Sequence, residues 1–428
     1  MIASKAWAGK RYAVLGLARS GAATVRALVA SDAEVVAWDG DPARRAGFDG
    51  ATIADLDTLD LARFDALVVS PGVPLNTHPL AAKARAAGVP VIGDIELFAQ
   101  ARDTLPLHNV VGITGTNGKS TVTALVHHIL QTAGKPSLMG GNIGLPILAQ
   151  EPLPFGGAYV LELSSYQLDL TRTLDCEVAV LLNLTPDHLD RYDGFAAYAA
   201  SKARLFAMQS PGNDAVIGTG DAPSAAIAAT LSTRREHLHL IAPDAAVDQS
   251  RWPALHGPHN AQNARAAIAV CTSLGVAATA IEAGLASFTG LPHRMERVAE
   301  VRGVAYVDDS KATNPESTAP ALAAFEHIHW ILGGRAKADD LDACLPHLGH
   351  VRAAYAIGEA GPAFANILSD RVETVEHSVT LAEAVRSAAR WARAGDTVLL
   401  SPAAASFDQF RDYEHRGDAF RAAVEALS

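Results

Sequence analysis

Short apolar runs alternate with alanine-rich, helix-like stretches along most of the chain. In the first part, the runs 12–15, 34–38 and 67–70 predict strands, and the alanine-rich stretch that ends at Ala30 predicts a helix between the first two. Strands that alternate with helices are typical of parallel sheets. The pattern therefore predicts an α/β architecture.

The same alternation continues to the end of the chain. Strands are predicted at 109–113, 158–163, 178–184, 305–307, 328–332, 354–357 and 397–400, and helices at 122–131 and 381–393. A chain of 428 residues is too long for one ordinary core, so two or three domains are expected. The pattern divides into three blocks, which we predict as domains: 1–95, 96–290 and 291–428.

Composition and charge narrow the functional classes. Hydrophobic residues make up 49% of the chain and charged residues 19%, as in a folded globular protein. The formal charge is 35 − 46 = −11, which disfavours nucleic-acid binding through the overall field. The three cysteines fit no zinc or redox spacing, so buried reduced thiols are expected. No signal pattern occurs, and no apolar run approaches the ~20 residues of a membrane span, so we expect a cytoplasmic protein.

The run GITGTNGKST, residues 112–121, lies between a predicted strand and a predicted helix. A glycine-rich turn at that place directs backbone N–H groups and the positive end of the helix dipole at an anion, so it predicts a phosphate site. Lys119 would add a cation near the β- and γ-phosphates, and Ser120 or Thr121 would offer a hydroxyl to Mg²⁺. The spacing departs from the strict Walker pattern, and the alternative is a glycine-rich turn with an exposed lysine.

Polar side chains follow the next two predicted strands. Glu162 lies at a strand end beside the predicted phosphate site, where it could hold Mg²⁺ or be an ordinary strand-end glutamate. His188, between two acids, could be a metal ligand, a general base or a loop residue. Zinc is disfavoured because no cysteine or second histidine lies at ligand spacing. Lys202 has no special standing from its position, since an isolated lysine on a helix is usually solvated.

Two side-chain amides, Asn260 and Asn263, share one face of a predicted helix. They could pair with the edge of a nucleobase, although capping of the helix by Asn260 is an alternative. Polar motifs at 308–314, at 333–337 and at 401–410 each follow a predicted strand, where parallel sheets present ligand contacts. Surface ion pairing is the alternative for the first of these motifs.

The turn 16–21, GLARSG, with Asp39 at the end of the next predicted strand, resembles a dinucleotide fingerprint. Ala18 stands where the middle glycine belongs, and its Cβ would hinder the close approach of a pyrophosphate. NAD binding is therefore weakly indicated. The turn Ser70-Pro71-Gly72 follows a further strand and could line a ligand crevice.

Together these motifs resemble the Mur ligase family, and most closely its glutamate-adding members. The resemblance covers the whole chain, because GTNGKST, GNIG (141–144), LELSSYQL, NLTPDHLDR, HNAQN, PHRME, DDSKATN and SPAAASFDQF occur in the family's order. GTNGKS marks the family and its folylpolyglutamate synthase relatives, whereas DDSKATN and the last motif point to glutamate addition. The D-N-P-R motif of diaminopimelate-adding members is absent, and alanine-adding members typically have His where Asn117 stands.

The resemblance implies three α/β domains: a Rossmann-like N-terminal domain for UDP, a central P-loop ATPase-like domain with a parallel sheet, and a Rossmann-like C-terminal domain for the amino acid. It implies an ADP-forming ligase of peptidoglycan precursor synthesis. ATP would convert the carboxylate of UDP-N-acetylmuramoyl-L-alanine to an acyl phosphate, which D-glutamate attacks. Two Mg²⁺ ions are expected, as is a monomer with no nucleic-acid partner and no membrane span.

The resemblance also implies site residues. The implied ATP contacts are Gly115, Thr116, Asn117, Gly118, Lys119, Ser120, Thr121, Asn260, Asn263, Arg294 and Asp309. The implied contacts to the two other substrates are Gly16, Arg19, Ser20, Asp39, Ser70, Gly72, Asn142, Lys311, Thr313, Lys337, Ser406 and Phe407. The implied Mg²⁺ ligands are Ser120, Thr121, Glu162, His188 and Lys202. Lys202 matches a lysine that the family carbamylates, and Lys119, His188 and Lys202 are the implied catalytic residues.

Three alternatives stay open at this point. The amino acid could be L-glutamate, because mirror-image substrates need only small rearrangements of the same donors. The chain could be a nucleotide-binding sensor or scaffold without catalysis. An NAD-dependent oxidoreductase would rest on residues 16–39 alone.

Overall fold

The computed structural model describes residues 1–243, 247–336 and 340–427. The chain has two compact units. The first unit is Met1–Val247 with Gln262–Ala286, and the second unit is Asp248–Ala261 with Ser287–Ser428. Each of the three predicted blocks contains one sheet, but the segment 248–261, which the sequence placed in the middle block, belongs to the second unit. The bounds of three separate domains stay a prediction.

The first sheet is parallel throughout, with strand order β3-β2-β1-β4-β5. Its strands are β1 (Arg11–Leu15), β2 (Glu34–Trp38), β3 (Thr52–Ile53), β4 (Ala66–Val69) and β5 (Val91–Ile92). The helices of this part are α1 (Arg19–Val29), α2 (Pro79–Ala86) and α3 (Asp94–Ala101). This order brings the turns after β1, β2 and β4 to one edge of the sheet, because parallel strands end on the same side.

The second sheet is also parallel in the part of the chain that the structure describes, with order β11-β10-β9-β6-β8-β7. Its strands are β6 (His108–Thr114), β7 (Ser137–Gly141), β8 (Gly157–Glu162), β9 (Val178–Leu181), β10 (Asp214–Gly218) and β11 (Leu238–Ile241). The accompanying helices are α4 (Lys119–Thr132), α5 (Ser165–Asp169), α6 (Gly194–Ala207), α7 (Ala222–Thr230), α8 (Pro258–Ser273) and α9 (Ala278–Ser287). Strand β6 lies between β8 and β9, so the ends of three neighbouring strands surround the loop that follows it.

The third sheet corrects one expectation. Its order is β12-β13-β17-β14-β15-β16, and β12 pairs with β13 in antiparallel fashion, although alternation predicted parallel strands. The strands are β12 (Glu296–Val301), β13 (Val304–Asp308), β14 (Ile328–Gly333), β15 (Val351–Ile357), β16 (Thr374–Val379) and β17 (Thr397–Leu400). The helices are α10 (Pro315–Ala324), α11 (Gly361–Leu368), α12 (Leu381–Trp391) and α13 (Tyr413–Glu425). A two-residue connection with Gly303 at φ 77° makes β12–β13 a hairpin.

Burial explains why these segments adopt these structures. All six residues of β8 are buried, as expected for a parallel strand covered by helices on both faces. Helix α12 buries Leu381, Ala384, Val385 and Ala388, which recur at helical spacing, and a capping box formed by Thr380 and Glu383 fixes its beginning. Among the described residues, no helix combines the length and apolar character that a membrane crossing requires.

The first two sheets share one core, which is why they form a single unit. Ile2 and Trp7 from the N-terminal segment are fully buried in the same cluster as Ile147 and Leu148 from the middle block. The carboxylate of Glu96 accepts two backbone N–H bonds from residues 172 and 173. The three cysteines are buried and free, as the sequence predicted.

Candidate active site

The predicted phosphate loop lies between β6 and the first turn of α4, at the centre of the second sheet. Gly115 and Gly118 have φ of 145° and 85°, backbone conformations that favour glycine, and so give the loop its curvature. The ammonium of Lys119 folds back over the loop and donates to the carbonyl oxygens of Gly115 (3.0 Å) and Thr116 (2.7 Å). Ser120 is buried and Thr121 half-buried in the same helical turn. The described geometry is that of an anion cradle with a resident cation.

A neighbouring loop fixes the phosphate loop. Asn183, just after β9, accepts from the backbone N–H of Asn117 (2.8 Å) and donates to its carbonyl (3.1 Å). The hydroxyl of Thr116 donates to the carbonyl oxygen of Thr185 and lies 3.1 Å from the hydroxyl of Tyr198. Asn183 was not among the predicted site residues, although its position directly after a strand next to the phosphate loop was an available signal.

Glu162 lies at the end of β8 and is 2% exposed. Asn142 donates through its side chain to Oε1 (2.8 Å) and through its backbone to the carbonyl of Glu162 (2.9 Å). The other oxygen, Oε2, is buried and has no hydrogen-bond partner among the described residues. A buried carboxylate oxygen without a donor is a costly arrangement that a bound cation would relieve.

His188 and Lys202 belong to the same unit as Glu162. His188 is half-buried with a left-handed backbone (φ 54°), and its Nε2 lies 3.4 Å from the carboxylate of Asp187. Lys202 on α6 is only 2% exposed, and its ammonium lies 4.7 Å from the centroid of the Tyr198 ring. Burial, and secondarily the positive charge of Lys119, hold the pKa of Lys202 well below its ordinary value. This burial contradicts the expectation that an isolated lysine on a helix is solvated.

The turn 16–21 in the first sheet is tightly built. A Cβ on Gly21 would overlap the carbonyl oxygen of Gly16, so only glycine fits at that position. The hydroxyl of Ser70 donates to the same carbonyl (2.8 Å). The two carboxylate oxygens of Asp39 accept backbone N–H bonds from Leu17 (2.6 Å) and from residue 41 (2.8 Å). Asp39 therefore shapes the turn, which weakens the comparison with an acid that binds a dinucleotide ribose.

One side chain joins the turn 16–21 to the second sheet. The guanidinium of Arg19 donates to the carbonyl oxygen of Gly144 (2.9 Å), in the loop that carries Asn142. Ser20 is half-buried and Gly72 exposed at the same edge. A cavity of about 160 Å³ lies beside Pro71, and its lining also includes Arg191.

Several predicted site residues of the second unit lie near strand ends of the third sheet. Asp309 follows β13 and accepts from the hydroxyl of Ser401 (2.8 Å) and from the backbone N–H of Met295 (3.2 Å). Burial raises the pKa of Asp309 to about 7. Arg294 is half-buried, and its positive charge opposes that rise. His293 donates from its ring to the buried carboxylate of Asp308 (2.7 Å), an ion pair that raises the pKa of His293.

Four of the five residues assigned to the amino-acid substrate lie on loops after β13 and β17. The ammonium of Lys311 lies 3.7 Å from the centroid of the Tyr413 ring, a cation–π contact that the sequence analysis missed. Thr313 is half-buried and Ser406 buried, whereas the side chain of Phe407 is exposed. Lys337 lies outside the described residues.

Helix α8 carries both predicted adenine contacts. Asn260 and Asn263 are 7% and 5% exposed. The amide of Asn260 donates to the carbonyl oxygen of His256 (3.1 Å) rather than capping the helix from its first position. Asn263 approaches the phosphate loop closely, because a Cβ on Gly118 would lie 2.5 Å from its Oδ1.

Comparison with known proteins agrees with this geometry. Residues 113–252 match the family model of the Mur ligase middle domain, and residues 293–404 match that of the Mur ligase, glutamate ligase domain. A UDP-N-acetylmuramoylalanine–D-glutamate ligase from Novosphingobium aromaticivorans is 63% identical over 430 residues, which cover 100% of this chain and 97% of that protein.

Solved structures agree on the fold. The UDP-N-acetylmuramate-alanine ligase MurC from Thermotoga maritima superposes with a TM-score of 0.61 at 16% identity, over 98% of this chain and 100% of that one. MurF ligase from the same organism, solved in complex with ADP, also has a TM-score of 0.61, at 15% identity over 98% and 96% of the two chains. At these identities the likeness concerns the fold alone.

Proposed function

The chain belongs to the Mur ligase family, and we propose that it joins D-glutamate to UDP-N-acetylmuramoyl-L-alanine while converting ATP to ADP and phosphate. The observation that carries the proposal is 63% identity over the whole chain with a D-glutamate ligase. The product is a precursor of peptidoglycan, so the enzyme acts in cell-wall synthesis. The supply of ATP and UDP-linked precursors suits a reaction in the cytoplasm, and the monomeric state stays a prediction.

The chemistry proceeds in two transfers. An oxygen of the substrate carboxylate attacks the γ-phosphorus of ATP, the bond from that phosphorus to the β-phosphate oxygen breaks, and ADP leaves. The amine of glutamate then attacks the acyl phosphate, and the tetrahedral intermediate expels phosphate as the nitrogen loses a proton. Holding the reactants near attack distance can contribute about 7–11 kcal/mol to such steps.

Two anions must meet in the first transfer, so the site needs fixed positive charge. Lys119 supplies part of it, because its ammonium is already held inside the loop by the carbonyl oxygens of Gly115 and Thr116. We assign the backbone of 115–121 to the phosphates of ATP. From the family pattern we also propose that ATP contacts Asn263 in the first unit. The same pattern assigns ATP contacts in the second unit to Asn260, Arg294 and Asp309.

Mg²⁺ would be held by Glu162, His188, Lys202 and the hydroxyl of Ser120 or Thr121. Bound Mg²⁺ would neutralise phosphate oxygens and orient them. Glu162 fits this role, because Asn142 fixes one of its oxygens and leaves the buried Oε2 for a cation. From the family pattern we also propose that Asn142 contacts the substrate carboxylate.

The burial of Lys202 supports its carbamylation. The lowered pKa favours the neutral amine, which is the form that adds to CO₂: the nitrogen lone pair attacks carbon, one proton is released, and an N-carboxylate results. That anion would remove the repulsion between Lys202 and Lys119 and would offer a further oxygen to Mg²⁺. A ¹³C NMR spectrum after incubation with ¹³C-bicarbonate should show one carbamate resonance, absent from the Lys202→Gln variant.

The remaining assignments concern the two other substrates. Gly16, Arg19, Ser20, Asp39, Ser70 and Gly72 are proposed for the UDP-linked substrate. Lys311, Thr313, Lys337, Ser406 and Phe407 are proposed for glutamate, whose two carboxylates suit cationic and hydroxyl donors. Exposure of Phe407 makes it the weakest member of this set.

The decisive experiment measures phosphate release with Mg²⁺, ATP and UDP-N-acetylmuramoyl-L-alanine, with D- or L-glutamate added. D-glutamate should support release, and ¹⁸O in the substrate carboxylate should appear in the phosphate. Release with L-glutamate alone would reverse the assignment of the amino acid, and release with neither would overturn the proposal.

A second measurement excludes a non-catalytic nucleotide-binding protein. Lys119→Ala should lower turnover by about 10²-fold or more, because a fixed charge at the transferring phosphate is lost. Lys5→Ala, which removes an exposed lysine in the same unit, is the matched control and should retain turnover.

A further inference from the structure

Arg416, on the first turns of α13, is the largest charged side chain in the core. It is 1% exposed and lies in the second unit, close to the strand ends that carry the proposed glutamate contacts. Burying a guanidinium without a matched carboxylate is expensive. Among the described residues, no carboxylate lies within ion-pair distance of it, and Asp308, Asp309 and Asp408 act on it only from farther away. A cost of this kind suggests that the buried guanidinium of Arg416 has a functional role.

The hydrogen bonds of Arg416 connect three separate loops. Its Nε donates to the hydroxyl of Ser310 (2.9 Å) and its Nη2 to the carbonyl of Ser310 (2.8 Å), after β13. Its Nη1 donates to the carbonyl oxygen of Ala404 (3.0 Å), after β17, and lies 3.4 Å from that of Gly333, at the end of β14. A planar guanidinium with several fixed donors suits this geometry, which an ammonium cannot reproduce.

Two of the three connected loops carry proposed glutamate contacts within a few residues. Ser310 precedes Lys311, and the hydroxyl of Ser310 also donates to the carbonyl oxygen of Tyr413, whose ring contacts the Lys311 ammonium. Ala404 precedes Ser406 by two positions. A Cβ on Gly334 would overlap the carbonyl of residue 405, so the loops after β14 and β17 are in direct backbone contact.

We infer that Arg416 is a positioning residue for glutamate binding: its guanidinium holds the loops after β13, β14 and β17 in register, so that their donors converge on the two carboxylates of the amino acid. This inference rests on the proposed function. Arg416 does not need to touch the substrate. It fixes Ser310, which precedes Lys311 in the chain and donates a hydrogen bond to the carbonyl oxygen of Tyr413. Its positive charge, uncompensated at close range, also favours an anionic ligand at this end of the sheet.

The test compares Arg416→Lys and Arg416→Gln with wild type in the phosphate-release assay. The KM for glutamate should rise about tenfold in the lysine variant and about 100-fold in the glutamine variant. We expect one factor of ten for the loss of the planar array of donors and a second for the loss of the positive charge. The KM for the UDP-linked substrate should stay within about twofold, because its proposed contacts lie in the first unit and none of them bonds to Arg416. Arg386→Gln, an exposed arginine on α12, is the matched control and should leave the KM for glutamate unchanged.

Ser310→Ala provides a milder test if the arginine variants fold poorly. It removes the hydroxyl between Arg416 and Tyr413 and should raise the KM for glutamate about threefold to tenfold. Equal rises in the KM values for glutamate and for the UDP-linked substrate, or no rise for glutamate, would overturn the inference and leave Arg416 a purely structural residue.

Hydrogen–deuterium exchange separates this inference from the proposed function. In the full chain with Arg416→Lys, exchange should accelerate in all three loops, 309–314, 333–336 and 401–412, relative to wild type. Acceleration in one loop or none would overturn the connecting role. This readout needs no turnover, so it decides the role of Arg416 even if wild type shows no glutamate-dependent phosphate release.

Discussion

The phosphate loop offers a sharp test because the two glycines that flank α4 can be compared. Gly118 precedes α4 and Gly134 follows it, with φ of 85° and 71°. A Cβ on Gly118 would lie 2.5 Å from Oδ1 of Asn263, whereas a Cβ on Gly134 would meet no atom within 4 Å. Gly118→Ala therefore adds backbone strain and a collision, while Gly134→Ala adds the strain alone.

The magnitudes follow from this difference. A non-glycine residue in the left-handed region costs about 1–2 kcal/mol, so Gly134→Ala should lower the free energy of unfolding of the first unit by about that amount. Gly118→Ala should cost about 1 kcal/mol more, because the buried side chain of Asn263 must move away from the added Cβ. The displaced amide should raise the KM for ATP about tenfold, the equivalent of about 1.4 kcal/mol.

Urea unfolding measures the first effect, and steady-state phosphate release with varied ATP measures the second. Gly134→Ala should keep the wild-type KM for ATP, since its strain lies at the far end of α4. An equal KM for ATP in both variants would refute the reasoning, because it would show that neither the curvature at Gly118 nor the position of Asn263 matters for nucleotide binding.

Three further outcomes are expected. Glu162→Gln should raise the Mg²⁺ concentration needed for half-maximal turnover at least about tenfold. The free energy of unfolding should change little, because the amide oxygen still accepts the hydrogen bond from Asn142. An unchanged Mg²⁺ titration would contradict the metal assignment. Arg19→Ala removes the hydrogen bond to Gly144 and should raise the KM for the UDP-linked substrate about threefold to tenfold, while the KM for ATP stays constant. Equal rises in the two KM values would argue against a local role of Arg19. The Asp308 partner raises the pKa of His293, so protonated His293 stabilises the fold fully below about pH 6.5, and this stabilisation is lost as the pH rises through the folded-state pKa. His293→Gln should therefore flatten the fall in unfolding free energy above about pH 6.5. An identical pH profile in the variant would contradict this expectation.

Local patterns account for what the sequence predicted well. The strands at 34–38 and 397–400 have the predicted bounds, because short apolar runs between turn residues determine them locally. Strand β6 and helix α4 extend beyond their predicted bounds by a few residues, as element ends usually do. The phosphate loop was predictable because its glycines, lysine and hydroxyls are contiguous in sequence.

Non-local contacts account for what was missed. The antiparallel pairing of β12 depends on a partner strand, not on its own alternation of side chains. The burial of Lys202 depends on neighbours from other loops, and nothing in the residues around it on α6 distinguishes it from a solvated lysine. Arg416 lies in a polar stretch, 411–418, that is typical of an exposed helix. The exposure of Phe407 was equally unavailable from a motif match.

The three buried thiols can be used as natural probes of local unfolding. Burial raises the pKa of Cys271 and of Cys344 to about 12 and that of Cys176 further still, so none reacts with an alkylating reagent until its surroundings open. Cys344 belongs to the second unit and the other two to the first. Mass spectrometry of alkylated peptides can therefore time the transient exposure of each unit separately, with no engineered label.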